Sequence, residues 1–109
     1  MALTEYRIKL TKRAENDIDA IYFYIANKLQ NPDAVLNHRD EFYKAAKSLR
    51  LVPKRNMRLV INKEQTKHRR QRVKNYYLYY IVFDNENIVE ITTVQYCRRH
   101  VKNLDLDLD

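Results

Sequence analysis

The side chains best suited to chemistry gather between residues 68 and 100. A basic run (His68, Arg69, Arg70, Gln71, Arg72) leads through Lys74 into a stretch holding Tyr76, Tyr77, Tyr79 and Tyr80, and a second basic cluster (Arg98, Arg99, His100) closes it. Guanidinium groups fit phosphates bidentately and aromatic rings stack on bases, so the set suits a polyanion. Cleaving RNA through its ribose 2′-hydroxyl asks for more: a proton acceptor, a donor for the leaving oxygen, and cations for the charge developing on phosphorus. Arg70, Arg72, Arg98 and Arg99 could be the cations, and His68, His100 or Glu90 could take the proton. The competing reading is a charged, tyrosine-rich sheet surface that is merely solvated. Cys97 and His100 have the spacing of half a metal site, but no second pair accompanies them, so neither a metal nor a cofactor is expected.

These residues need strands to position them. Val73 to Phe83 is β-branched and aromatic, the composition of a half-buried pleated strand. Asp84, Asn85, Glu86 and Asn87 form a turn, and Ile88 to Tyr96 returns, with Val89 and Ile91 on one face and Glu90 and Thr92 on the other. If the basic run is the strand before Asn75, Arg70, Arg72 and Lys74 share a face while Val73 turns to the core. Leu78, Tyr80 and Val82 are the inward set of the central strand, leaving Tyr77 and Tyr79 opposite. Coincidence of the outward sets would lay arginines beside tyrosine rings, with Arg98 and Arg99 at the end of the last strand.

The earlier chain supplies a layer for the sheet to pack on. Tyr6, Ile8 and Leu10 alternate with Arg7 and Lys9 as a short strand, and Thr11 stands at a helix N-cap. Ala14, Ile18, Ile21, Tyr22, Ile25 and Leu29 then trace one stripe of an amphipathic helix. Asn31-Pro32 ends it and starts a second helix, whose stripe is Val35, Phe42, Ala46 and Leu49, with His38 and Arg39 on or near it, and Val52-Pro53 ends that. Arg58 to Ile61 reads as a short strand or extended loop, and Asn62 to Lys67 as a polar surface loop. Leu104 to Asp109 alternates leucine with aspartate. It suits an edge strand, a frayed acidic tail, or an intramolecular anion folded over the basic face. The expected fold is one α+β domain over 1–109: an N-terminal strand, a helical hairpin, then an antiparallel β-sheet.

Composition narrows the function classes. Lys+Arg 21 against Asp+Glu 14 gives a net charge of +7, which draws nucleic acid, ribosomes, acidic proteins or anionic membranes. Glycine is absent, which excludes a Walker loop, a dinucleotide fingerprint and a nucleophile elbow, since each needs glycine for close backbone approach or a strained turn. Cys97 is the sole cysteine, so no intrachain disulfide forms. With Glu5, Arg7 and Lys9 near the start and no long apolar run, neither a signal peptide nor a membrane span is expected, and a cytoplasmic location is.

Three segments carry a family likeness: "LTKRAENDIDAIYFYIANKLQNP", "RVKNYYLYYIVFDNENIVEITTVQY" and the closing "CRRH". Together they resemble the RelE/ParE superfamily of type II toxin–antitoxin toxins over nearly the whole chain to Lys102. The resemblance implies a small cytoplasmic toxin silenced by an acidic cognate antitoxin. RelE-like members cut messenger RNA in the ribosome using basic residues and a tyrosine, whereas ParE-like members poison DNA gyrase. On the RelE pattern, Arg70 and Arg72 match basic positions of the strand before the central one, and Arg98 or Arg99 matches the arginine after the last. Tyr77 occupies the central-strand position where RelE-type nucleases place an arginine, and Tyr96 or Tyr77 would stand in for their late tyrosine. His68, Arg69, Lys74, Tyr79 and His100 would then hold nucleic acid around this centre. The expectation carried forward is ribosome-dependent messenger RNA cleavage, with gyrase poisoning or non-catalytic nucleic-acid binding as alternatives.

Overall fold

Thr11 separates strand from helix. Its hydroxyl accepts the Ala14 N–H (3.1 Å) as the N-cap of α1 (Lys12–Asn27) and donates to the Thr92 carbonyl (2.7 Å), so one side chain caps the helix and ties it to the sheet. Asn31 does the capping for α2 (Pro32–Leu51), accepting from Ala34 N–H at 3.2 Å with Pro32 as first helical residue. The structure, a computed structural model, describes residues 5–98. Arg99, His100 and the 104–109 tail lie outside those residues.

Around the helices run β1 (Arg7–Leu10), a single 3-10 turn (Pro53–Arg55), β2 (Arg58–Ile61), β3 (Glu64–Val73), β4 (Tyr76–Phe83) and β5 (Ile88–Tyr96). The strands form one sheet in the order β1-β5-β4-β3-β2. β2 to β5 are the expected antiparallel meander, and β1 joins β5 in parallel at the edge. The α+β arrangement is the expected one. Its core lies between the helices and one sheet face, where Ala14, Ile21, Ile25, Phe42 and Leu49 meet Val73, Leu78, Tyr80, Val89, Ile91 and Val94. Tyr80 is completely buried, and its hydroxyl donates to the Pro53 carbonyl (2.8 Å) and accepts from Asn56 Nδ2 (3.1 Å), which removes the cost of a bare phenol in the interior.

Two boundaries differ from the sequence reading. Val73 to Phe83 is not continuous strand: Lys74 and Asn75 turn the chain between β3 and β4, with Lys74 at φ 52°. The stretch from Asn62 to Lys67 is not a loop either. Only Asn62 (φ 53°) and Lys63 (φ 67°) form the turn, and β3 starts at Glu64. Positive φ at both central residues marks a two-residue hairpin turn whose twist matches that of the strands.

Past Leu10, β1 no longer covers the edge of β5. Asp17 of α1 takes over, its Oδ2 accepting the Val94 N–H (3.0 Å) and the Thr93 hydroxyl (2.5 Å). Opposite Tyr79 and Tyr80, β5 carries one extra residue: Tyr79 pairs with Thr93 and Tyr80 with Ile91, leaving Thr92 unpaired as a bulge. Thr11→Val, which removes both hydroxyl bonds, is expected to cost about 1–2 kcal/mol of unfolding free energy in urea melts. Lys63→Gly relieves a left-handed non-glycine residue and is expected to add about 0.5–1 kcal/mol in the same measurement, net of glycine's larger unfolded-state entropy.

Candidate functional site

Strand register brings the expected arginines and tyrosines together. Arg70 pairs with Tyr79 and Arg72 with Tyr77 across β3–β4, while Tyr79 pairs with Thr93 and Tyr77 with Gln95 across β4–β5. Directly paired residues point to the same side, here the side away from the helices. The Arg70 Cζ lies 4.1 Å from the Tyr77 ring centroid and the Arg72 Cζ 5.5 Å. Both are within cation–π reach of about 6 Å. One ring therefore holds two guanidinium groups close despite their repulsion, an arrangement ready for an anion. Tyr77 meets Tyr79 edge-on at 6.1 Å, and Gln95 Nε2 donates to Thr93 Oγ1 at 2.9 Å.

Tyr79 is 1% exposed. Burial pushes its phenol pKa up, with the neighbouring Arg70 guanidinium partly opposing the shift. At neutral pH this phenol keeps its proton, so it can donate a hydrogen bond to an anion but cannot serve as the base that takes a hydroxyl proton.

The other expected residues scatter. Lys74 leaves the strand face for the β3–β4 turn, where its carbonyl accepts from Arg72 Nε. Arg98 is exposed just past β5, next to Cys97, whose N–H donates to the Asn75 carbonyl (2.8 Å), so it stands at the sheet end that carries Arg72. Tyr96 pairs with Tyr76, their rings 5.8 Å apart, and so faces the helices rather than Arg70 and Arg72. The bulge at Thr92 is the cause, because one extra residue reverses the alternation for the rest of β5. His68 is 1% exposed and offers no ring to a surface ligand. Arg69 is half-buried on the helix side, its Nη1 donating to the Asn56 carbonyl at 2.5 Å. Glu90 pairs with Lys9 of β1 at 4.0 Å. Thr93 and Gln95, which sequence reasoning passed over, take the places on the outer face that simple alternation assigns to Val94 and Tyr96. Arg70, Arg72, Tyr77, Tyr79, Thr93 and Gln95 themselves supply neither carboxylate nor imidazole; Asp17 reaches the cluster through the Thr93 hydroxyl, and His68, on the same side of β3 as Arg70, is buried.

A two-helix layer on a small sheet is a fold that this chain shares with solved RelE and ParE toxin structures. The sequence model for the ParE toxin of the type II toxin–antitoxin system parDE matches residues 8–101, and the chain belongs to that family. It is therefore a toxin of a type II toxin–antitoxin module. Solved structures of the same fold include a chromosomal ParDE system from P. aeruginosa, with 19% identity, a TM-score of 0.66, and coverage of 85% of this chain and 97% of that one. The RelBE2 complex of Mycobacterium tuberculosis shares 22% identity with a TM-score of 0.59, covering 84% and 98%. The archaeal RelE–RelB complex from Pyrococcus horikoshii shares 18% with a TM-score of 0.60, covering 88% and 99%. A search of curated protein sequences gave no match. No helix among the described residues is long and apolar enough to cross a membrane.

The raised Tyr79 value has a consequence for stability. A group whose folded pKa exceeds its unfolded value, about 10 for tyrosine, stabilises the fold below that value and loses the contribution as pH rises through the folded one. Tyr79→Phe is expected to lessen the loss of stability above about pH 10, followed by denaturant melts across alkaline pH. An unchanged alkaline slope would show that this phenol does not titrate high.

Proposed function

We propose that this toxin acts by poisoning DNA gyrase rather than by cutting RNA itself, and that an acidic cognate antitoxin silences it. The composition of the outer face carries the reading. Arg70, Arg72 and Tyr77 can hold an anion, but proton abstraction from a ribose hydroxyl needs a base within hydrogen-bond reach. The cluster residues carry no carboxylate or imidazole of their own. The Asp17 carboxylate that reaches Thr93 is engaged by the Thr93 hydroxyl and the Val94 N–H, and the His68 ring on the same side of β3 is buried. Tyr79 retains its proton, and Tyr96 is turned to the other side. Membership of the ParE family points the same way. A net charge of +7 suits an acidic partner by long-range attraction.

One observation favours a second reading, ribosome-dependent cleavage of messenger RNA. The two guanidinium groups over Tyr77 are the cations that a pentacovalent phosphorus would need, and the ribosome could supply the missing proton acceptor.

Inducible expression in a bacterium, with message integrity and gyrase-linked DNA breaks followed together, separates the two. Growth arrest with DNA breaks and intact messages is expected. Codon-positioned message cuts that disappear with Arg72→Ala would overturn gyrase poisoning in favour of cleavage. Absence of arrest would overturn both.

A further inference from the structure

The β3–β4 pairing ends at Arg69–Tyr80, although β3 reaches back to Glu64 and β4 runs on to Phe83. Where the pairing stops there is a cleft of about 630 Å³, whose lining includes Lys54, Arg58, Lys67, Arg69 and Phe83 together with Asp84 and Glu86 of the β4–β5 turn. Four cations thus share one opening with two carboxylates. Arg58 and Arg69 are direct partners across β2–β3, and like charges set opposite each other destabilise a sheet. Arg58 Nη2 donates to Gln65 Oε1 (2.7 Å) and Arg69 Nη1 to the Asn56 carbonyl, while the Asp84 carboxylate offsets part of the Arg69 charge. Lys54 is paired with Asp84 at 2.8 Å. Lys67 is exposed and lies two residues from Arg69, about 7 Å along the same side of the strand. An anion seated between Arg58 and Arg69 would turn their repulsion into a shared contact.

We propose that this cleft binds the phosphate backbone of a single nucleic-acid strand, with Phe83 as a stacking surface for a base. Cations spaced along a strand suit successive phosphates, and a basic trough beside an aromatic ring is how sequence-tolerant single-strand binding is built. Phe83 is 39% exposed, enough to offer a ring face. The trough's cations are separate from the outer-face cluster, because Arg69 and Arg70 point to opposite sides of β3, whereas Phe83, six residues on from Tyr77, borders the cleft from the outer side at the end of β4. It depends on neither gyrase nor messenger RNA being the toxin's target.

Fluorescence anisotropy of a short labelled oligothymidine strand with the full chain at low salt tests this. Replacing two cations, Arg58→Ser with Lys67→Ser, is expected to weaken binding about tenfold and to flatten the salt dependence by about 1.4 in log–log slope. Phe83→Ala is expected to weaken it about fivefold or more. Thermal unfolding of Arg58→Ser should be unchanged or shifted upward, since a like-charged neighbour is gone. The proposal is overturned if the double variant binds as the native chain does, or if Arg70→Ser with Arg72→Ser abolishes all binding. Displacement of the labelled strand by polyglutamate as readily as by unlabelled oligothymidine would also overturn it, assigning the cleft to an acidic peptide.

Discussion

One unpaired residue, Thr92, sets which way the end of β5 faces. Before it, Val89 and Ile91 point into the helix layer by simple alternation. After it, Val94 and Tyr96 do so, and Thr93 and Gln95 join Tyr77 and Tyr79 outside. Two interactions hold the bulge in place. Thr92 Oγ donates to the Tyr79 carbonyl, and Thr11 donates to the carbonyl of Thr92 itself. The first turn of α1 is thereby coupled to the composition of a surface on the far side of the sheet. Without the extra residue, Tyr96 would stand beside Gln95's present neighbours and Val94 would leave the core.

The sheet edge shows a second economy. β1 covers β5 only as far as Ile91, and an uncovered edge amide is both an unsatisfied donor and a template for another strand. The Asp17 carboxylate accepts from Val94 and Thr93 there, which lets a short strand suffice. Turns are handled without any glycine. Gln30, Asn62, Lys63, Lys74 and Asn87 occupy left-handed backbone positions that glycine usually takes. Asparagine adopts that conformation with local hydrogen bonding, while lysine does so against a steric cost that packing elsewhere must cover.

β3 presents cations to both sides. Arg70 and Arg72 face outward against Tyr77, whereas Lys67 and Arg69 turn toward the cleft at the other end. The strand's strict alternation produces two cationic surfaces from one basic run. Tyr77 holds both outward guanidinium groups within cation–π reach, which restrains long side chains that would otherwise be free to rotate.

Much of the fold was legible because it follows from local periodicity. The stripe from Ala14 to Ile25, the Thr11 and Asn31 caps and the Asp84–Asn87 turn depend on residues within a few positions of one another, and so does the parity that puts Arg70 and Arg72 with Tyr77 and Tyr79. The turn at Lys74 was hidden because lysine has no turn preference and Val73 just before it has the β-branched character of the strand that follows. The strand character of 64–67 was hidden because its partner, β2, is short and polar residues fill its exposed side. Tyr96 was misplaced for a different reason. A bulge at a Thr-Thr pair leaves no mark in composition, and only the register between β4 and β5, held by contacts across tens of residues, decides which face a side chain takes. By itself the sequence determined the elements, their order and the cationic, aromatic character of β3 and β4. The tertiary structure decided which of those side chains meet, because alternation is a local property and register is not.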